Sequence, residues 1–225
     1  MEASERLDPA VRALVRLSAA LVIADEEVWR EALTAAARHA RDVEIEEVLL
    51  QAHLFVGFPV ALNAFGVWRE LAGERRGTGA AEGGEAVAGA RVSDRARKGE
   101  ALCRAVYADV YERLRGHVRG LHPALDRWMV EDGYGRTLAR RGLSVEIREL
   151  CIVALLAAGG HERQLRGHLR GALNVGASRG WVEAALGIGI EAARETRAGG
   201  GDPDRAWKMW AEVSNREERR PCSST

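Results

Sequence analysis

Two titratable side chains in the downstream half of the sequence have types and spacing suited to proton transfer. Glu149 lies in an apolar segment, Val145–Ala158, and His168 lies in the next segment, Glu162–Asn174. Both segments have the apolar periodicity of helices, and a Gly-Gly pair separates them. Because both residues fall on the apolar stripes, two antiparallel helices joined by this break would bring carboxylate and imidazole together. A histidine gives or takes a proton near neutral pH, so the pair predicts general acid–base catalysis.

Each residue of this pair also has a structural explanation. A histidine on an apolar helix face is often a core residue whose hydrogen bonds are satisfied by its surroundings. Glu149 is equally well explained as a buried ion-pair partner of a nearby arginine, the candidates being Arg148, Arg166 and Arg170. Periodicity alone leaves both alternatives open.

Five further residues are candidates for binding a substrate, namely Arg148, His161, Gln51, His53 and Phe55. Arg148 has the geometry for bidentate contact with a substrate carboxylate, but a structural salt bridge is the favoured alternative. His161 opens the second helix, where an exposed polar residue is the usual explanation. Gln51, His53 and Phe55 precede a Gly-Phe-Pro turn and would close a pocket from the upstream half.

Composition narrows the classes of function. Of the 225 residues, 47% are hydrophobic and 5% aromatic, and the net charge is zero, so no global field favours nucleic acid or an acidic membrane. The three cysteines lie far apart with no CxxC, and no set of side chains has metal-ligand spacing. We therefore expect no cofactor and no metal. No signal-peptide core or apolar run of membrane-spanning length is evident, which predicts a cytoplasmic chain with neither membrane nor nucleic-acid partners.

The periodicity predicts an all-α protein. A first helical unit is expected over residues 1–72, with helices from Pro9, from residue 25 or 26, over 43–56 and over 60–71. Residues 73–99 hold many glycines among small and charged residues, which predicts a linker or mobile loop. A second helical unit is expected over 100–198, followed by a C-terminal segment and tail over 199–225 that docks through its tryptophans or frays.

The two units align with each other. A single ungapped register pairs Leu7 with Leu143 and Leu50 with Leu186, and helix breaks and apolar stripes coincide between them. We therefore interpret the chain as two tandem copies of one helical unit. The upstream copy has alanines at the positions of Glu149 and His168, so only the downstream copy carries the pair.

The segments RELCIVALLAAGGHERQLRGHLRGALNVGAS and EIEEVLLQAHLFVGFPVALNAFG resemble the carboxymuconolactone decarboxylase family, whose helical fold is that of the AhpD-type alkylhydroperoxidases. The resemblance covers about residues 7–71 and 121–193. It implies a tandem AhpD-like fold that assembles as a homo-oligomer, with a homotrimer of six-fold-like appearance as the first expectation.

The resemblance also implies a function. AhpD-type members carry a CxxC before the catalytic histidine, whereas here those two positions are His161 and Gln164, so dithiol peroxidase chemistry is not expected. The decarboxylase branch needs no cysteine. We therefore expect a cofactor-free decarboxylase (a lyase) acting on a small carboxylated lactone or related acid, with proton transfer by His168 and Glu149. The alternative is an oligomeric protein that kept this fold for small-molecule binding or for a structural or stress-related role.

Overall fold

The computed structural model describes residues 6–23, 25–73, 92–195 and 201–218. Within these residues the chain is helical with no strand, which confirms the all-α class. A 3-10 turn, Ala108–Val110, and a π-helical segment, Met129–Leu138, interrupt the α-helices. The α-helices of the described residues, in chain order, are α1 Pro9–Ala20, α2 Glu26–Ala36, α3 Asp42–Ala72, α4 Val92–Tyr107, α5 Tyr111–Leu121, α6 Pro123–Trp128, α7 Val145–Ala158, α8 Glu162–Asn174, α9 Arg179–Ala193 and α10 Pro203–Glu218.

Local capping chemistry sets where several of these helices begin. The Asp8 carboxylate accepts a hydrogen bond from the amide of Ala10 at 2.8 Å, and Pro9 is the first residue of α1. Ser144 and Ser178 cap α7 and α9 through their hydroxyl oxygens. These starts were predictable because the cap side chain satisfies amides that have no partner inside the helix.

Helix α7 is the centre of the molecule. Every residue from Arg148 to Ala158 is buried, and α7 packs against α1, α8 and α9. The hydroxyl of Ser18 in α1 donates a hydrogen bond to the carbonyl of Cys151 at 2.9 Å. Burying each large apolar side chain of this helix contributes roughly 1.5–3 kcal/mol, so α7 carries much of the stability of the fold.

The helix starts follow the register found in the sequence. Pairing Leu7 with Leu143 also pairs the first residue of α1 with that of α7, and the first residue of α2 with that of α8. Asp42, which begins α3, pairs with Ser178, the cap that directly precedes α9. Duplication of one unit stays a prediction, because similar helix spacing does not by itself establish that the two halves are copies.

The longest helix is broken at Gly57. Its φ of 82° and ψ of 166° lie outside the helical region, and Pro59 follows, so α3 consists of two helical halves as the sequence predicted. By length and composition α3 passes as a membrane span, with an 18-residue window of mean hydropathy 1.6 that is 33% buried. This corrects the expectation that no apolar run reaches that length. Each half of about 15 residues is roughly 22 Å long, shorter than the roughly 30 Å apolar core of a bilayer.

The predicted linker extends too far downstream. Residues 74–91 lie outside the described residues, but α4 already begins at Val92, so the last eight residues of the predicted linker are helical. The reason is tertiary. A Cβ at Gly99 would lie 2.0 Å from the carbonyl oxygen of Val130, and one at Gly135 would lie 2.1 Å from that of Arg95. These glycines allow α4 to pack closely against the π-helical segment. From composition alone, Gly99 was predicted to be the last residue of a linker.

The C-terminal segment also forms a helix. Helix α10 packs on α8 and α9, with Met209 and Trp210 buried and Trp207 37% exposed. The expected docking through tryptophan is therefore observed for Trp210. Residues 219–225, including Cys222, lie outside the described residues.

A buried ionic network joins the two halves of the chain. The Arg148 guanidinium, in a side chain 2% exposed, donates from Nη2 to Oε2 of Glu47 at 2.8 Å and from Nη1 to Oε1 of Gln51 at 3.2 Å. Arg140 reaches the same carboxylate at 2.9 Å, and its carbonyl accepts a further bond from Arg148. Burial lowers the pKa of Arg148, and the contact with Glu47 opposes this fall.

We expect the Glu47→Gln variant to lower the free energy of unfolding by about 3–5 kcal/mol, because it leaves the Arg148 charge buried without its counter-charge. Chemical denaturation measured by circular dichroism checks this value. The matched control is Glu70→Gln, which removes a 2.7 Å ion pair with Arg30 at the surface and should leave the midpoint almost unchanged. Equal effects of the two substitutions would contradict a structural role for the buried network.

Candidate functional site

The glycine break after α7 brings the two candidate residues together. Helix α7 ends at Ala158, Gly160 has a φ of 69° that glycine adopts without strain, and α8 begins at Glu162. Nδ1 of His168 lies 2.8 Å from Oε2 of Glu149. The two side chains are 6% and 2% exposed. The convergence predicted from the apolar stripes is therefore present.

The hydrogen bond assigns different roles to the two ring nitrogens. In neutral imidazole, Nδ1–H donates to the Glu149 carboxylate, which leaves Nε2 as the proton acceptor. Nε2 has no hydrogen-bond partner among the described residues. Among the described residues, two side-chain nitrogens are fully enclosed and have no hydrogen-bond partner, Arg148 Nε and Trp181 Nε1. Nε2 of His168 is not one of them. No described protein group therefore holds the second nitrogen, which leaves its lone pair to bind or release a proton.

Aromatic rings flank the imidazole. The rings of Phe55, from α3, and Tyr107, from α4, each lie edge-on to His168 with centroids 6.1 Å apart. Tyr134 packs edge-on against Tyr107, also at 6.1 Å. Burial raises the pKa of both tyrosines well above their usual range, so both hydroxyls stay protonated at physiological pH. These contacts fix the plane of the imidazole relative to Glu149.

Helix α4 covers the pair from one side. A Cβ at Gly171 would lie 2.6 Å from a methyl carbon of Val106 and 2.9 Å from Oε2 of Glu149, and the Asn174 amide donates to the carbonyl of Val106 at 2.8 Å. The contribution of Tyr107 and Val106 was not predicted. They lie outside the two segments that the internal register pairs, 7–50 and 143–186, and their sequence carries no motif that points to His168.

Three of the predicted binding residues have other protein contacts. Arg148 and Gln51 lie in the buried network with Glu47, so the salt-bridge explanation fits Arg148, whose Nη1 and Nη2 both donate within the protein. Nδ1 of His53 bonds to the carbonyl of Leu50, and its ring packs on Phe58. The contacts of these side chains give no support to substrate binding.

The two remaining candidates for substrate binding differ in whether they contact His168. Phe55 contacts His168 and remains a candidate wall of the site, whereas His161 is exposed at the start of α8. Glu149 is paired with His168, while the arginines proposed as its partners pair elsewhere: Arg166 with Glu212 and Arg170 with Asp109. Among the described residues no group of three or more His, Cys, Asp or Glu side chains has the arrangement of a metal site.

The segment of the chain that matches a known protein family contains both residues of this pair. Residues 123–198 match the model of the carboxymuconolactone decarboxylase family. This match contains α7, α8 and α9, and therefore both Glu149 and His168. It does not extend to α1–α4, so Phe55 and Tyr107 reach the family-matched segment from outside it.

One curated relative is similar over part of the chain. Peroxisomal protein 2 of Saccharomyces cerevisiae is 35% identical over 86 residues, which is 38% of this chain and 30% of the relative. The chain thus spans about a third of that protein's length. No solved structure matches the chain.

We expect Gly171→Ala to lower the free energy of unfolding by about 1–3 kcal/mol, because the new methyl group overlaps Val106 and the Glu149 carboxylate. The His168 ring resonances in NMR spectra should shift in the same variant, since the carboxylate must move. Gly116→Ala is the control, because a Cβ there meets nothing within 4 Å, and it should stabilise α5 by up to about 1 kcal/mol. Unchanged stability and ring resonances in Gly171→Ala would show that α4 does not constrain the pair.

The buried cysteines should be unreactive in the folded protein. Burial raises the pKa of the Cys103 and Cys151 thiols to about 12, so at pH 8 only about one thiol in 10⁴ is a thiolate. Peptide mapping after iodoacetamide treatment at pH 8 should find both residues unmodified, and fully modified after unfolding in guanidinium. Rapid alkylation of native Cys103 would instead reveal an activated thiol near His168.

Proposed function

We propose that the chain is a cofactor-free enzyme resembling carboxymuconolactone decarboxylase, which acts on a small carboxylated lactone or related acid. The observation that carries this proposal is the 2.8 Å contact between Glu149 and Nδ1 of His168, both inside the family-matched segment, with no hydrogen bond to Nε2 among the described residues. An imidazole held in this way at one nitrogen is oriented to act as an acid or base at the other.

The geometry suits protonation of a carbanion. When a lactone carboxylate leaves as carbon dioxide, the electron pair of the broken carbon–carbon bond moves into the adjacent conjugated carbonyl group. The imidazolium form of His168 then delivers its Nε2 proton to the carbon. Neutral imidazole remains, with Nδ1–H still bonded to Glu149, and water restores the Nε2 proton. Glu149 stabilises the imidazolium by charge and fixes the ring orientation.

The surroundings of the pair support this role. Phe55 and Tyr107 shield the imidazole, and a site with little water strengthens the interaction between carboxylate and imidazolium. The neutral Tyr107 hydroxyl adds no competing charge. A thiol peroxidase cycle is disfavoured, because the positions before His168 hold no cysteine pair and burial raises the pKa of Cys103 and Cys151.

The test is a kinetic comparison with carboxymuconolactone and related lactone acids as substrates, followed by ultraviolet absorbance and carbon dioxide release. We expect His168→Gln to lower kcat/KM by roughly 10²–10⁴-fold, since it removes the group that transfers the proton. Glu149→Gln should lower it by roughly tenfold or more, because the amide does not stabilise imidazolium. His161→Gln, an exposed histidine on the same helix, is the matched control and should retain activity.

Two results would count against the enzyme. Full activity of His168→Gln, with an unchanged melting temperature, would exclude histidine as the acid. Alternatively, lactone acids that perturb the His168 NMR resonances without releasing carbon dioxide would favour the small-molecule binding protein.

Assembly and location are proposed on the family resemblance. We retain a homotrimer built from tandem units, and the exposed apolar side chains of the described residues, including Phe58, Leu62 and Trp128, provide surface for self-association. A cytoplasmic location is proposed from the sequence, and the name of the yeast relative makes a peroxisomal location the alternative.

A further inference from the structure

A cavity lies between helices that carry neither Glu149 nor His168. It is bounded by α1, α2 and α9, and its lining residues come only from residues 7–39 and 188–195. Its volume of about 580 Å³ falls in the range of roughly 300–1,000 Å³ that is usual for sites binding small molecules.

This cavity occupies the upstream counterpart of the Glu149 and His168 position. In the register that aligns the two halves, Ala13 pairs with Glu149 and Ala32 with His168, and both alanines line the cavity. In the downstream half Glu149 and His168 contact each other, and α4 packs against α8. In the upstream half two methyl groups replace the polar pair. The upstream cavity therefore has room for a ligand but lacks the groups for the proposed proton transfer.

The lining defines the chemistry of a ligand. Its apolar residues are all aliphatic, with no aromatic ring among them, and the largest are Leu7, Ile23, Val28 and Ile188. Aliphatic walls favour an aliphatic body, because burial of apolar surface supplies the binding energy and no ring is present for stacking.

The charges around the cavity nearly cancel. Arg12 and Arg16 face it from α1, Glu31 from α2, Glu191 from α9 and Glu195 from the turn after α9. Arg16 lies 3.9 Å from Glu191. Two positive and three negative side chains give no excess positive charge to hold an acid. The other titratable lining residue is His39, shortly after the end of α2, which offers a hydrogen bond to one polar group of a ligand.

We propose that this cavity is a binding site for an uncharged aliphatic molecule with a single hydrogen-bonding group, of the class of medium-chain alcohols. The aliphatic floor holds the hydrocarbon body, and the hydroxyl group lies at the polar rim. The site binds without reacting, and it is independent of the proposed decarboxylation.

The probe is 1-octanol, and the readout is the NMR spectrum of the full chain with ¹³C-labelled alanine methyl groups. Titration should shift the methyl resonances of Ala13, Ala32 and Ala35 saturably and leave those of Ala154 and Ala157, deep in α7, unchanged. Ala32→Phe fills the cavity and should weaken octanol binding at least about tenfold. Ala35→Phe is a second filling variant in case the first does not fold, and Ala124→Phe, on α6, is the matched control with unchanged affinity.

Each other outcome overturns the proposal. Octanoate binding as tightly as octanol would show that the site selects an acid. Shifts of the same methyl groups that depend on protein concentration without octanol would show that a second copy of the chain covers the cavity. Absence of shifts up to the solubility limit of octanol would exclude the ligand class. His168→Gln should leave octanol binding unchanged, which separates this result from failure of the proposed enzyme.

Discussion

The structure depends on the burial of α7 from Arg148 to Ala158, a stretch that nevertheless begins with two adjacent charged residues. Arg148 and Glu149 point to different neighbours, and each must be satisfied because an unpaired buried charge is costly. Arg148 pairs with Glu47 of the upstream half, and Glu149 pairs with His168 of α8. One buried pair thus fixes how the halves pack, and the other forms the candidate site. Because both originate on the same rigid helix, the site is held by the core rather than by a loop.

The two halves of the chain differ in what fills the space beside their first two aligned helices, α1 and α2 upstream and α7 and α8 downstream. Around α7 and α8, glycines at positions 167 and 171 allow Tyr107 and Val106 to approach closely. Both side chains therefore lie beside the Glu149 and His168 pair. Around α1 and α2 the corresponding polar residues are alanines, and a cavity of about 580 Å³ remains. An ionisable pair needs a shielding cover to keep it in place, whereas small apolar side chains leave space that an apolar ligand can fill.

The family match covers only part of the candidate site, the part that lies in the downstream half. The matched residues 123–198 include the pair, but Phe55 and Tyr107, which flank the imidazole, come from α3 and α4 outside the match. The rings that flank the imidazole therefore come from residues that the family match does not cover. The sequence contains no CxxC, the motif on which a dithiol mechanism depends.

The sequence by itself determined the helical class and most helix boundaries, and it predicted that Glu149 and His168 converge. These follow from local rules, because apolar periodicity, capping residues and a glycine break act over a few residues. Tertiary structure alone decided which arginine is paired with which carboxylate. The sequence left Arg148, Arg166 and Arg170 as equal partners for Glu149, and none of them is its partner in the fold. Only the fold showed that Gly99 lies in a helix and that Tyr107 covers His168. Such contacts join residues far apart in the chain, so no local pattern encodes them, and they exist only once helices have packed.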